Sequence, residues 1–135
     1  RRVADAGRWA GVEVVVETVG HRHAGLQLSV LGEIARETET PVCFDLGHAY
    51  MEGGNKAIRR FRRDHGDQIS HLHWHDVRRR GDTHLPVGAG EVDYDLVASE
   101  LDDFDGTVAL EVFTDDATLL RDSAERVADR LGASF

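Results

Sequence analysis

The sequence predicts an α/β fold, a parallel sheet covered by helices, on three observations. Short β-branched apolar runs alternate with stretches of helical spacing four times in succession. Three of those runs are almost continuously apolar, as strands buried on both faces must be. Each run ends in a residue able to hold a cation: Glu17, Asp45, His73 and Glu111. A chain of 135 residues suffices for one domain with a real core and is too short for two.

Taken in order, Arg1 to Ala10 places Val3, Ala6 and Trp9 or Ala10 on one side at helical spacing, with Gly11 as the stop. The stretch has neither N-cap nor initiating Met, so the chain is expected to begin partway through a helix, as a piece of something longer. Val12 to Thr18 is a β-branched run ending in Glu17, and the polar His21, Arg22, His23 and Gly25 region reads as a loop. Leu28, Leu31, Ile34 and Ala35 recur as on a helix within Leu26 to Arg36. Pro41 opens a second run, Val42-Cys43-Phe44, which ends in Asp45-Leu46-Gly47-His48. Gly53-Gly54 breaks the chain before a helix that holds Ala57, Ile58 and Phe61, with Arg59, Arg60, Arg62 and Arg63 as its solvated face. His65, near the end of that helix, suits its negative pole.

The next run is His71-Leu72-His73-Trp74-His75-Asp76. On a strand from Ile69 to His75 its three imidazoles share one face, with Leu72 and Trp74 on the other. Two readings stand at this point, a metal-binding strand and a His-rich surface hairpin. A polar loop with Asp82 and His84 follows and runs through Pro86, Gly88 and Gly90. The glycines permit a tight turn there, and Gly-Ala-Gly is too weak a pattern for a phosphate cradle. Asp93 or Asp95 caps a helix bearing Leu96, Val97 and Leu101. Gly106 leads into a fourth strand, Thr107 to Val112. Thr114 to Asp116 then caps a last helix with Leu119, Leu120, Ala124, Val127 and Leu131 on one stripe.

A formal net charge of −9 argues against nucleic acid as the default partner, although Arg78, Arg79 and Arg80 form a local basic patch. No apolar run approaches the roughly 20 residues that cross a bilayer, so a soluble, cytoplasmic protein is expected. The single cysteine, Cys43, sits inside an apolar run and reads as a packing residue.

Parallel strands bring their C-terminal ends to a common rim, so Glu17, Asp45, His73 and Glu111 are expected to converge. Three carboxylates and one imidazole make a hard site suited to Mn²⁺, Mg²⁺, Co²⁺ or Zn²⁺.

Several short motifs, in this order, resemble one family: Val-Val-Val-Glu-Thr around Glu17, Phe-Asp-Leu-Gly-His-Ala around Asp45 and His48, and His-Leu-His-Trp-His-Asp around His73 and Asp76. Asp-Thr-His-Leu-Pro-Val-Gly-Ala-Gly follows with Asp82 and His84, and Leu-Glu-Val-Phe with Glu111. Together they resemble the xylose-isomerase-like TIM-barrel superfamily, which includes sugar phosphate isomerases and epimerases and the endonuclease IV family. The resemblance covers essentially the whole chain. It implies a (β/α)8 barrel of which residues 1–135 are the C-terminal half, strands five to eight.

It further implies that Glu17, Asp45, His73 and Glu111 hold a single divalent metal, as in the ketose epimerases. There the two glutamates also exchange protons with the substrate carbon, and the residue matching His48 contacts substrate. The endonuclease IV branch adds the positions of His48, Asp82 and His84 to hold several zinc ions. It also places two histidine ligands in the first barrel half, which this chain lacks.

The function expected is a divalent-metal-dependent sugar or sugar phosphate isomerase or epimerase working by proton transfer next to a carbonyl. An endonuclease IV-like zinc phosphodiesterase and a noncatalytic metal-binding half barrel are the alternatives. His48, His75 and Arg80 are the expected substrate contacts, with His71 and His75 also readable as hydrogen-bond donors to ligands or as polar fillers of the barrel. The expected partners are a small sugar-like substrate and either a missing half barrel or a second copy that hides the open sheet edges. No membrane partner is expected.

Overall fold

The computed structural model describes residues 2–19, 26–79 and 81–132. Arg80 and the loop residues His21 and His23 lie outside the described residues.

The elements are α1 (Arg2–Ala10), β1 (Val16–Glu17), α2 (Leu28–Thr38), β2 (Val42–Asp45), α3 (Leu46–Gly53), α4 (Asn55–His65), β3 (Ile69–Trp74), β4 (Asp76–Arg78), β5 (Gly81–Leu85), α5 (Tyr94–Glu100), β6 (Thr107–Leu110) and α6 (Ala117–Leu131). A single 3₁₀ turn, Gly66–Gln68, joins α4 to β3. Four strands form one sheet in the order β1-β2-β3-β6, and every pairing in it is parallel. This is the succession of βα units that the alternating pattern predicts.

The two faces of the sheet follow from the strand period. Phe44, Leu72 and Trp74 point toward the helices and are fully buried. Phe44 stacks on Phe61 of α4 at 4.7 Å, and Trp74 stacks on Tyr94 of α5 at 5.4 Å between ring centroids. Burying side chains of this size contributes about 1.5–3 kcal/mol each. The alternate residues Cys43, Asp45, His71 and His73 occupy the other face, which carries the polar groups.

Five features differ from the sequence expectation. β1 is only two residues long, because Val12 to Val15 pair with no strand; Val16 and Thr18 donate to the Pro41 and Cys43 carbonyls at 2.9 and 3.1 Å. Helix α3 starts at once after β2, in a stretch where the sequence reading placed no element. The Asp45 carboxylate accepts the His48 amide at 2.7 Å and so acts as its N-cap.

The loop bearing Asp82 and His84 is instead an antiparallel hairpin, β4 with β5, pairing Asp76 with Leu85 and Arg78 with Gly81. Its base is organised by Asp76, 1% exposed, whose carboxylate accepts the amides of Val77, Gly88, Gly90 and Val92 at 2.8–3.2 Å. The Gly-Ala-Gly loop therefore wraps a carboxylate of the protein itself. Gly88 has φ 92°, and a Cβ on Gly90 would strike Asp76, so both glycines are required by the geometry.

On α6 the buried positions are Ser123, Val127 and Ala128, while Leu119 and Leu120 are 43% and 42% exposed. The Ser123 hydroxyl accepts the Val87 amide and donates to the Leu119 carbonyl, which turns that face of the helix inward. Finally, His65 is buried, packs over Gly32 of α2 and lies 5.0 Å from the Phe61 ring, so it fills an interhelical gap as well as ending α4.

Candidate metal centre

Glu17 ends β1, Asp45 ends β2, His73 lies one residue before the end of β3, and Glu111 follows β6. Parallel pairing brings all four to the same rim, where one ligand atom from each lies within 4.8 Å of the others. His73 Nδ1 is the centre of the group: Glu111 Oε1 is 3.1 Å away, Glu17 Oε1 3.3 Å and Asp45 Oδ2 3.7 Å. This nitrogen is buried and has no aligned hydrogen-bond partner. An imidazole nitrogen surrounded by three carboxylate oxygens without a good hydrogen bond to any of them is the arrangement a shared cation requires. The donor set fits a hard divalent ion, and Glu17, Asp45, His73 and Glu111 would hold it.

The supports of these ligands are specific. Asp45 and His75 are both 0% exposed, and His75 Nε2 lies 3.0 and 3.2 Å from the two Asp45 oxygens. His75 itself is held by ring stacking on His84 at 3.9 Å, by the Tyr94 hydroxyl donating to its carbonyl at 2.6 Å, and by Gly47, where any Cβ would enter its ring. Thr18, also fully buried, accepts the Asp45 amide through its hydroxyl at 2.8 Å. Such contacts orient a ligand and tune its basicity.

Burial raises the Asp45 pKa, but the nearby His73 imidazole, the hydrogen bond with His75 and the charges of His75 and His48 outweigh it, leaving the carboxyl far below the usual range. The His73 pKa is raised, by Asp45 foremost against the cost of burial, with Glu111 and Glu17 adding to it. Burial pushes His75 down, and Asp45 more than reverses this. The Cys43 thiol is pushed up to about 12, by burial first and then by Glu17, Asp45 and Glu111. It is therefore no thiolate nucleophile, in keeping with the packing role read from its apolar run.

A second group lies alongside. His48, His75, Asp82 and His84 each place a ligand atom within 4.8 Å of the others. His48 Nδ1 faces the Thr18 carbonyl at 3.2 Å and His84 Nδ1 the Glu111 carbonyl at 2.8 Å. A nitrogen that donates to a carbonyl leaves Nε2 as the lone-pair atom. Those Nε2 atoms converge on the two Asp82 oxygens, at 3.2 Å from His48 and 3.1 Å from His84. His84 holds this position with φ 44°, an uncommon backbone for histidine. The exposed ring of Phe113 stacks on it at 4.2 Å.

The structure thus brings together Glu17, Asp45, His73, Glu111, His48, Asp82 and His84. It does not give His75 an exposed edge toward a substrate, as the sequence suggested; the ring is closed off and bound to Asp45. Arg80 lies outside the described residues. Sequence reasoning overlooked Thr18, Gly47, Tyr94 and Phe113. Thr18, Gly47 and Phe113 each lie within two residues of a strand-end ligand, whereas Tyr94 carried no such signal.

A sequence model of the xylose isomerase-like TIM barrel matches residues 1–131. The chain belongs to this family. Solved structures of xylose isomerase-like fold agree: a D-tagatose 3-epimerase-like protein superposes with a TM-score of 0.77 at 22% identity, over 97% of this chain and 51% of that one. A 3-keto-D-glucoside 4-epimerase from E. coli gives 0.74 at 19% identity, over 96% and 50%. A family 2 AP endonuclease from Brucella melitensis gives 0.60 at 22% identity, over 87% and 46%. The chain thus spans about half the length of these xylose isomerase-like relatives, and at such identities the likeness establishes the fold. No protein of curated function matches it significantly. Among the described residues no helix is long and apolar enough to cross a membrane.

Proposed function

We propose that the chain is the C-terminal half, strands five to eight, of a (β/α)8 barrel that isomerises or epimerises a small sugar or sugar phosphate with the help of a divalent metal ion. The observation that carries this reading is the placement of two glutamates. Glu17 and Glu111 come from the two outer strands of the sheet, flank Asp45 and His73, and lie 3.3 and 3.1 Å from the same imidazole nitrogen.

A divalent ion held by Glu17, Asp45, His73 and Glu111 would polarise the substrate's carbonyl and hydroxyl oxygens and acidify the C–H between them. One glutamate would take that proton and the other would return a proton to the carbon. Asp45, locked by His75 and by the His48 amide, keeps its charge and does not compete for the proton. His48, buried and set between the Thr18 carbonyl and Asp82, would act on substrate through Asp82.

The test is solvent deuterium incorporation into a panel of ketoses, run on the complete barrel. Glu17→Gln and Glu111→Gln should each abolish exchange while metal binding largely survives, because the amide oxygen can still coordinate but cannot take a proton. Full exchange in either variant would end this reading.

One observation favours a second reading, a zinc phosphodiesterase: the convergence of His48, Asp82 and His84, which suits a second cation and an activated water. The net charge of −9 weighs against a nucleic-acid substrate. Cleavage of abasic DNA, lost in Asp82→Ala and His84→Ala, together with no deuterium exchange, would put this reading first.

A further inference from the structure

A third cluster lies behind the carboxylate site on the same face of the sheet. Cys43 and His71 are register partners on neighbouring parallel strands, one strand period back from Asp45 and His73. The Cys43 sulfur and one ring nitrogen each of His71 and His73 lie within 4.8 Å of one another. His71 Nδ1 is engaged by the Thr107 hydroxyl at 2.6 Å, and its ring meets that of His73 edge-on at 5.3 Å. Cys43 is almost wholly covered, and His71 is half-buried on this face of the chain.

One sulfur and two imidazoles make a donor set unlike that of the carboxylate site. Hard ions such as Mn²⁺ and Mg²⁺ favour oxygen, whereas a thiol gives up its proton to a soft or borderline cation that also accepts imidazole. We propose that Cys43, His71 and His73 form a second metal site, selective for thiophilic cations such as Zn²⁺, Cd²⁺ or Cu⁺, with solvent as the fourth ligand.

His73 belongs to both donor sets, and this couples them. A neutral imidazole has one lone-pair nitrogen and one N–H. With Nδ1 given to a cation among Glu17, Asp45 and Glu111, Nε2 carries the proton and cannot bind another. Turning His73 to serve Cys43 and His71 removes the only nitrogen ligand from the carboxylate site. The two sites therefore exclude each other, and a thiophilic ion would displace the hard metal that the proposed activity needs. The exclusion rests on the proposed carboxylate site; the thiophilic site itself does not.

Cadmium and manganese separate these statements. Titrating the metal-free chain with Cd²⁺ should produce a thiolate-to-cadmium charge-transfer absorption that saturates at one equivalent. Cys43→Ser should lose the band, and His71→Asn, which leaves the cysteine intact, should weaken Cd²⁺ binding by about tenfold or more. No saturable band in the parent, or the same Cd²⁺ affinity in His71→Asn, would overturn the site.

Manganese binding is read separately, from the loss of the free-ion paramagnetic resonance signal. Bound Mn²⁺ should be released in step with growth of the cadmium band. Both ions bound together would overturn the exclusion. A cadmium band in a chain that binds no Mn²⁺ would uphold the thiophilic site and count against the carboxylate site instead.

Discussion

Replacing His75 with alanine should damage both the fold and the metal centre, and the geometry sets the size of each effect. His75 and Asp45 are fully buried, with Nε2 at 3.0 and 3.2 Å from the two carboxylate oxygens. Removing one partner of a buried pair costs about 3–5 kcal/mol, since the other charge is left without compensation. Asp45 keeps the His48 amide at 2.7 Å, which places the loss toward the lower end of that range.

In a chain of this length that corresponds to a fall of roughly 10–15 °C in the melting temperature of the metal-free protein. Asp45 would also lose its orientation, and the loss of such a partner weakens metal affinity about 10–100-fold. Weaker binding to the folded state means less stabilisation by mass action, so saturating Mn²⁺ should widen the gap between parent and variant by about 1.4–2.7 kcal/mol. Thermal unfolding with and without Mn²⁺, followed by circular dichroism, measures both quantities. A metal-free melting temperature within about 3 °C of the parent's, with unchanged Mn²⁺ affinity, would refute the positioning role.

Gly47→Ala should give a milder version of the same defect, about 1–3 kcal/mol, because its Cβ enters the His75 ring; normal Mn²⁺ affinity in that variant would argue against contact between the two. Asp76→Ala removes the acceptor of three loop amides and of the Val77 amide and should cost about 3–5 kcal/mol, with faster hydrogen exchange at Gly88, Gly90 and Val92 as the specific sign. Since His73 has a raised pKa, the metal must displace a proton over a range above about 6.5. Affinity should therefore rise with pH through that range and level off once the imidazole is neutral. In the metal-free protein the sign is opposite: the stabilising charge of His73 and His75 is fully present below about 6.5 and is lost as pH rises through their raised values. Calorimetric titrations in buffers of different ionisation enthalpy would detect the released proton, and a pH-independent affinity would contradict the scheme.

The convergence of Glu17, Asp45, His73 and Glu111 was legible because strand periodicity and parallel pairing fix it without any knowledge of the helices. An apolar run ending in Glu17, Asp45 or Glu111 has one place to put that residue once the strands are parallel. Asp93 and Asp116 were legible as caps for a similar local reason, and both accept helix amides.

What stayed hidden depended on residues serving twice. Asp45 is a strand-end candidate ligand and also the N-cap of α3, so a helix begins where the sequence reading placed none. His75 shares the parity of His71 and His73 but lies beyond the last ladder pair of β3, where the chain turns it onto Asp45 and away from a substrate. The hairpin was masked by the charged Arg78 to Asp82 stretch, whose pairing depends on Asp76 gathering amides up to sixteen residues away. On α6, the stripe read through Leu119 and Leu120 is displaced toward Ser123, whose hydroxyl accepts the Val87 amide.

The brevity of β1 makes the candidate centre a joint as well as a site. Only two residues of this edge strand pair with β2, yet three supports depart from Glu17 and Thr18: a ligand oxygen, the hydroxyl holding the Asp45 amide, and the carbonyl facing His48. Opening this two-residue pairing with β2 would slacken both clusters in one event. A cation gripping Glu17 would act as a rivet at the least secured seam, so the rigidity of the rim would depend on whether that rivet is in place.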